Sequence, residues 1–113
     1  MREIAYRDLD MPDSSYSSLQ ALIVDDFESF RITLSKMLQE FGIGTVDSSP
    51  SSADALRYCN AKVYDIILCD QNLGKGKTGQ QILEVLRHQP NINSDSLFVL
   101  VSAESNKNII MAA

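Results

Sequence analysis

The sequence has few of the residues that build disulfide or zinc sites and no long apolar segment. Two cysteines, Cys59 and Cys69, and one histidine occur among 113 residues, without a CxxC spacing. We therefore expect core thiols and no cysteine-histidine metal site. No apolar run approaches the roughly 20 residues of a membrane span, and the first 20 residues lack the apolar core of a secretory signal. These absences predict a cytoplasmic protein without a membrane segment.

Basic residues are also scarce. Ten Lys and Arg stand against 15 Asp and Glu, which gives a formal net charge of -5 and a pI near 4.6. This balance disfavours a nucleic-acid or anionic-membrane surface and favours a cationic partner. A hydrophobic content of 44% in a chain of this length suits one domain. We predict a leader and flexible linker over residues 1–18 and the domain over 19–113, with Ile4–Arg7 as an edge strand or a frayed end.

Short apolar runs alternate with stretches of helical spacing along the domain. The order is β α β α β α β, and a further helix is predicted from Glu104 onward. The predicted strands are Leu19–Val24, Gly44–Ser48, Ile66–Cys69 and Leu97–Val101. The predicted helices carry their apolar residues at Phe27, Phe30, Leu34, Met37, Leu38 and Phe41, then Ala53, Ala55, Leu56 and Cys59, then Ile82, Leu83, Val85 and Leu86. Such alternation indicates a doubly wound parallel sheet with helices on both faces.

Polar side chains follow three of these strands. Asp25 and Asp26 come after the first, Asp70 after the third, and Ser102 with Ala103 after the fourth. If these strands are neighbours, the four polar residues meet at the carboxyl edge of the sheet. Unit charges about 4 Å apart at an effective dielectric constant near 20 repel by about 4 kcal/mol, so a cation is required.

Oxygen ligands with open coordination positions suit Mg²⁺, and a phosphoryl group could complete the coordination. Asp70 stands alone at a strand end, as a carboxylate nucleophile would. The Ser102 hydroxyl could donate a hydrogen bond to phosphoryl oxygens, and Ala103 leaves room beside it. The simpler alternatives are that Asp25 or Asp26 caps the following helix, that Ser102 caps another, and that Asp70 is an ordinary loop acid.

This set of residues resembles the receiver (CheY-like) domain of two-component response regulators over residues 19 to about 112. The segments VDDFESFR and CDQNLGKGKTGQQILEVLR further resemble receivers at the front of longer proteins with helical-repeat tails. The resemblance implies a flavodoxin-like doubly wound sheet of strand order 2-1-3-4. It also implies that the protein is a phosphoacceptor and not an ordinary enzyme. Such a phosphoacceptor takes its phosphoryl group from a histidine kinase, a phosphotransfer protein or a small phosphodonor in a phosphorelay.

The resemblance also implies the role of each site residue. Asp25 and Asp26 would hold Mg²⁺, Asp70 would contact the metal and accept the phosphoryl group, and Asn72 would offer its backbone carbonyl to the metal. Ser102 would turn toward the phosphoryl group and move the following loop with it.

The sequence departs from the family pattern in two places. In the loop after Asp70, Gly74 stands where a proline is usual, and Gly79 comes one residue late. The family's fifth strand and last helix, roughly 20 to 30 residues, are missing, together with an invariant lysine that Lys107 is too early to replace. We therefore interpret the sequence as an incomplete receiver domain and expect impaired phosphoryl transfer. The strand Leu97–Val101 would be an exposed edge, which predicts a homodimer through that strand or through Ile4–Arg7 added to it.

Two other functions compete with phosphoryl transfer. Gly76-Lys77-Thr78 imitates the end of a nucleotide-binding P-loop, but Gln71 stands where that pattern requires glycine. A receiver-like interaction or dimerisation module without phosphoryl turnover is the stronger alternative. Binding of a beryllium fluoride complex would separate it from a working acceptor.

Overall fold

The computed structural model of the protein describes residues 14–88, 91–101 and 109–112. Its helices are α1 (Ser14–Ser17), α2 (Glu28–Glu40), α3 (Ser52–Ala61) and α4 (Gly79–His88). Its strands are β1 (Gln20–Val24), β2 (Thr45–Ser49), β3 (Ile66–Asp70), β4 (Leu97–Val101) and β5 (Ile109–Ala112).

The first four strands form a parallel sheet in the order β2-β1-β3-β4. The central strand β1 pairs with β2 over its whole length and with β3 from Ala21↔Ile66 to Val24↔Cys69. All four predicted strands and the predicted order are thus confirmed. Because β1 and β3 are neighbours in register, the residues that follow them emerge side by side at one edge of the sheet.

A fifth strand occupies the outer edge of β4. It runs antiparallel and pairs from Phe98↔Ala112 to Val101↔Ile109. The predicted helix after Glu104 is therefore wrong over β5, since periodicity cannot separate strand from helix in so short an apolar segment. The prediction that β4 is an exposed edge is also wrong, because β5 pairs with it. The predicted homodimer through β4 therefore loses its physical reason. The family's last helix has no counterpart among the described residues, and Ile4–Arg7 lies outside them.

The core lies between one face of the sheet and helices α3 and α4. It is formed by buried side chains of β1, β3 and β4 with those of the two helices: Leu22, Val24, Ile67, Cys69, Phe98 and Leu100 with Ala55, Cys59, Ile82, Leu83 and Leu86. Both cysteines are free and fully buried here, as predicted. The helix α3 begins at the N-cap Ser51, whose hydroxyl accepts the backbone N–H of Asp54 at 3.2 Å.

Helix α2 contacts β1 and β2 and lies apart from this core. None of its 13 residues, all in the described part of the chain, is buried. Phe27 is 68% exposed and Phe41 67% exposed, although both belong to the predicted apolar face. The helical spacing correctly predicts the helix, but its apolar face is only half covered in this fold.

The end of the predicted flexible linker is ordered. Helix α1 places the ring of Tyr16 on that of Phe41, with ring centroids 6.0 Å apart, and the carbonyl oxygen of Tyr16 accepts the N–H of Gly44 at 3.2 Å. A Cβ at Gly44 would lie 1.7 Å from the carbonyl oxygen of Ser17, so this contact requires glycine. The segment before the family-like region is therefore packed on the end of α2. Among the described helices, none combines the length and apolar character needed to span a bilayer.

Candidate functional site

Three carboxylates meet at the carboxyl ends of β1 and β3. Carboxylate oxygens of Asp25, Asp26 and Asp70 all lie within 4.8 Å of one another. Asp25 and Asp70 are only 5% and 7% exposed, whereas Asp26 is exposed. The structure therefore brings together the three acids that the sequence places at the ends of two strands. The register that sets Val24 beside Cys69 makes this possible.

The side chain of Asp25 is held at the start of α2. Its Oδ1 accepts the backbone N–H of Phe27 at 2.8 Å. Phe27 is itself the N-cap of α2, which has no side-chain cap, so Asp25 braces the turn before the helix and the alternative that it caps the helix is wrong. Burial raises the pKa of Asp25, and the charge of Asp26 raises it further. The hydrogen bond from Phe27 and the charge of Arg31 lower the pKa but do not cancel the rise.

Asp70 ends β3 in a similar environment. Burial raises its pKa most, and the charges of Asp25 and Asp26 add to that rise. A backbone hydrogen bond from Asn72 to Oδ1, at 3.2 Å, acts against it. Two buried carboxyl groups with raised pKa values in one pocket show that negative charge is unfavourable there, and that a bound cation would relieve it.

Asn72 lies beside Asp70 at the start of the loop 71–78. Besides donating its N–H to Asp70, it accepts the N–H of Gly74 on its own Oδ1 at 3.1 Å. Gly74 has a φ of 77°. A left-handed conformation of this kind favours glycine and would be impossible for the proline usual in the family. The role of the Asn72 carbonyl as a metal ligand stays a prediction.

Ser102, Ala103, Glu104 and Lys107 lie outside the described residues. The residue before Ser102, Val101, is paired with Asp70 across β3 and β4. The carbonyl oxygen of Val101 accepts the N–H of Gln71 at 2.8 Å. The end of β4 is thus attached to the strand that carries Asp70 and to the loop that follows it. The role of Ser102 toward a phosphoryl group stays a prediction.

The residues that imitate a P-loop have structural roles. The hydroxyl of Thr78 accepts the N–H of Gln81 at 3.2 Å, and the Gln81 side chain accepts the N–H of Thr78 at 2.9 Å. This reciprocal pair is a capping box for α4. The Gln71 side chain accepts a further helical N–H, that of Gln80, at 2.9 Å. Thr78 and Gln71 therefore serve the start of the helix, and the described geometry gives nucleotide binding no support.

Arg31 and Ser52 have roles that the sequence does not predict. Arg31 donates a hydrogen bond of 2.7 Å to the backbone oxygen of Asp25. Ser52, in the first turn of α3, accepts the backbone N–H of Lys77 at 3.0 Å. A capping box could have been found from the spacing of Thr78 and Gln81, but no local pattern signals a contact across 25 residues.

Known proteins share this fold. The model of the response regulator receiver domain matches residues 21–113. A CheY-like receiver domain structure from Methylobacillus flagellatus is 32% identical with a TM-score of 0.69, covering 80% of this chain and 74% of that one. The chemotaxis response regulator CheY4 of Vibrio cholerae is 25% identical with a TM-score of 0.69, covering 77% and 70%.

The response regulator MaeR, in a structure bound to beryllium trifluoride, is 25% identical with a TM-score of 0.67 over 77% of this chain and 69% of that one. These similarities agree with the parallel sheet of this fold. With the family model matching all but the first 20 residues, the chain belongs to the response regulator receiver domains of two-component signalling.

Proposed function

We propose that this chain is a phosphoacceptor whose Asp70 takes a phosphoryl group in the presence of Mg²⁺. The observation that carries the proposal is the convergence of Asp25, Asp26 and Asp70 within 4.8 Å. A pocket of three carboxylates has little use as a structural feature, because like charges destabilise it until a cation binds. Membership of the receiver family supplies the reaction in which such a pocket is used.

Mg²⁺ fits the donor set in this pocket. The candidate ligands are carboxylate oxygens, to which the Asn72 carbonyl would add another, and hard oxygen ligands are those that Mg²⁺ selects. The exposed Asp26 leaves one side of the pocket open to water and to a phosphodonor. When bound, Mg²⁺ would neutralise charge on the carboxylates and on the phosphoryl oxygens.

Asp70 is the best candidate for the nucleophile. Asp25 and Asp70 each accept one backbone N–H on Oδ1, from Phe27 and from Asn72, and Asp26 lies on the exposed side. The resemblance to the receiver family, which gives the role of phosphoryl acceptor to the acid after the third strand, favours Asp70 over Asp25. Asp70 is held at the strand end, with Oδ1 fixed by the N–H of Asn72. Its other carboxylate oxygen would form a bond to phosphorus as the bond from phosphorus to a histidine nitrogen breaks. The electron pair of that bond stays with the imidazole nitrogen, which takes a proton from solvent.

The supply of positive charge limits this reaction. Among the described residues, the charges that shift the pKa of Asp70 are those of Asp25 and Asp26, and both are negative. Stabilisation of developing phosphoryl charge by a fixed cation is worth orders of magnitude in rate. We therefore propose that transfer to Asp70 is slow, and that Ser102 assists by donating its hydroxyl to a phosphoryl oxygen.

The proposed partners are a histidine kinase or a phosphotransfer protein in the cytoplasm. After transfer, the segment beyond β4 would move toward the phosphoryl group and relay the signal. MaeR, a relative of the same family, is known with beryllium trifluoride bound. Because this compound imitates a phosphoryl group on a carboxylate, that structure supports the use of the same analogue here. The net charge of -5 disfavours nucleic acid as a direct partner.

The test is labelling with radioactive acetyl phosphate in the presence of Mg²⁺. We expect weak labelling that chelation of Mg²⁺ removes and that D70N abolishes, while D95N, a change at an exposed aspartate outside the pocket, leaves it intact. Labelling of D70N equal to that of the unaltered protein would overturn the proposal. Absence of both labelling and beryllium fluoride binding would favour an interaction module without phosphoryl turnover.

A further inference from the structure

The loop 71–78 passes along the acidic pocket. Its first residues are fixed to Asp70 through the N–H of Asn72, as described above. A Cβ built on Gly74 would lie 3.8 Å from Oδ2 of Asp26, which is van der Waals contact. The path of this loop therefore decides where the Asn72 carbonyl lies relative to two of the three carboxylates.

One buried side chain holds the far end of that loop. Ser52 is 5% exposed, and its hydroxyl accepts the backbone N–H of Lys77 at 3.0 Å. The loop also lies directly on this hydroxyl, because a Cβ at Gly76 would come within 2.6 Å of Ser52 Oγ. The near end of the loop is attached to β4, since the N–H of Gln71 donates to the carbonyl oxygen of Val101 at 2.8 Å. The hydrogen bonds between Asn72 and Gly74 and between Thr78 and Gln81 are local.

The turn before Ser52 is attached to the same pocket from the other side. The carbonyl oxygen of Ser49 accepts the N–H of Asp25 at 3.1 Å. The hydroxyl of Ser49, fully buried, donates to the carbonyl oxygen of Ser51 at 3.0 Å. A continuous path of hydrogen bonds and short backbone segments thus runs from Asp25 through the start of α3 to the loop and back to Asp70.

We propose that Ser52 is a positioning residue for the metal pocket. By holding Lys77 and supporting Gly76, its hydroxyl fixes the loop that presents the Asn72 carbonyl beside Asp26 and Asp70. This inference rests on the proposed function, since it concerns Mg²⁺ binding at the same carboxylates. Residues that orient a metal site without touching the ion commonly change metal affinity by 10-fold or more when they are replaced.

The test is a titration of the ¹⁵N-labelled full chain with MgCl₂, followed by amide chemical shifts. We expect S52A to raise the Mg²⁺ dissociation constant about 10-fold, because the loop loses its attachment. The amide shifts of Asn72, Gly74 and Lys77 should change in S52A even without metal. The matched control is S51A, which removes the N-cap of the same helix and should keep the dissociation constant within about twofold.

A second variant tests the contact itself. G76A places a methyl group against Ser52 Oγ at a residue with a φ of 81°, so it should also weaken Mg²⁺ binding. In the double variant S52A/G76A the added methyl group no longer meets the Ser52 hydroxyl. The fold-increase in the Mg²⁺ dissociation constant of the double variant should therefore be smaller than the product of the fold-increases in the two single variants.

The outcomes separate this inference from the proposed function. If Mg²⁺ shifts no amide near Asp25, Asp26 and Asp70 in the unaltered protein, the proposed function fails and takes the role of Ser52 with it. If the unaltered protein binds Mg²⁺ but S52A binds it equally well, only the role of Ser52 is overturned. Equal weakening in S51A and S52A would likewise overturn it, because general loosening of α3 would then explain the effect.

Discussion

The guanidinium group of Arg31 donates a 2.7 Å hydrogen bond to the backbone carbonyl oxygen of Asp25 and so joins α2 to the end of β1. The charge of Arg31 also lowers the pKa of Asp25, against the larger effect of burial and the charge of Asp26. Arg31 is therefore a partial counterion for a pocket that has excess negative charge. Its contribution to stability should depend on whether a metal ion is present.

Replacement of this cation should be most harmful without metal. We expect R31Q to lower the free energy of unfolding by about 1.5 to 3 kcal/mol in metal-free buffer, the range for a hydrogen bond made by a charged group. With Mg²⁺ the loss should shrink, because the ion supplies part of the missing positive charge. Urea denaturation with and without Mg²⁺ measures this difference. K36Q, a change at an exposed lysine of the same helix, is the control, and an equal loss in both buffers would contradict the prediction.

Removal of one carboxylate should stabilise the protein in the absence of metal. In D70N the amide oxygen can still accept the N–H of Asn72, while the repulsion from Asp25 and Asp26 is removed. We expect the free energy of unfolding at pH 7 to rise by about 1 to 3 kcal/mol, the order of a partly screened pair of like charges. The Mg²⁺-dependent rise in melting temperature should disappear. Thermal unfolding with and without Mg²⁺ measures both effects, with D95N as the control. If D70N is less stable than the unaltered protein without metal, charge repulsion does not destabilise the pocket.

The sequence was sufficient to predict this pocket because its acids follow buried parallel strands. The run Ile66–Cys69 is typical of a buried strand of a parallel sheet, and an acid that follows such a strand is expected at the edge of the sheet. Helical spacing was a weaker guide for α2. It predicts the helix between Phe27 and Phe41, which flank it, but it does not show that these two side chains stay exposed. The Ser52 contact and the pairing of β5 were beyond prediction, because each depends on chain segments that meet only in the folded protein.

A fully buried asparagine joins three segments at the opposite end of the sheet. Asn93 accepts the N–H of Tyr64 at 2.6 Å and donates to the carbonyl oxygens of Cys59 and Lys62 at 2.6 and 2.8 Å. Its side chain also accepts a hydrogen bond from the Ser96 hydroxyl at 3.0 Å. All of its side-chain hydrogen-bonding groups are therefore used inside the protein.

Loss of this side chain should strongly destabilise the fold. N93A leaves several buried backbone groups without their partner, and each such group costs about 1 to 3 kcal/mol, so we expect a loss of at least about 3 kcal/mol. N60A, which removes a single exposed contact with Asn91, should stay within about 0.5 kcal/mol of the unaltered protein. Urea denaturation measures both values. A loss below about 1 kcal/mol in N93A would show that water or local rearrangement replaces these hydrogen bonds.

Asp47 on β2 should give the fold a distinct dependence on acid pH. Burial raises its pKa, but hydrogen bonds from the Tyr64 hydroxyl at 2.6 Å and the Lys62 ammonium at 2.9 Å outweigh burial, so the pKa is lowered from 3.8. A carboxyl group with a lowered pKa in the folded state stabilises the protein above its unfolded pKa. That stabilisation is lost as the pH falls below about 4, because the folded state must then bind a proton against these interactions.

Removal of the tyrosine hydroxyl should weaken this acid dependence. We expect Y64F to be less stable than the unaltered protein by about 1.5 kcal/mol at pH 7, since a hydrogen bond to a charged group is lost. The difference should narrow between pH 4 and pH 3, as protonation of Asp47 weakens the same bond in the unaltered protein. Urea denaturation from pH 7 to pH 3 follows this change, with Y58F at an exposed tyrosine as the matched control. A difference that stays constant over this range would mean that the Tyr64 hydroxyl stabilises the fold independently of the charge on Asp47.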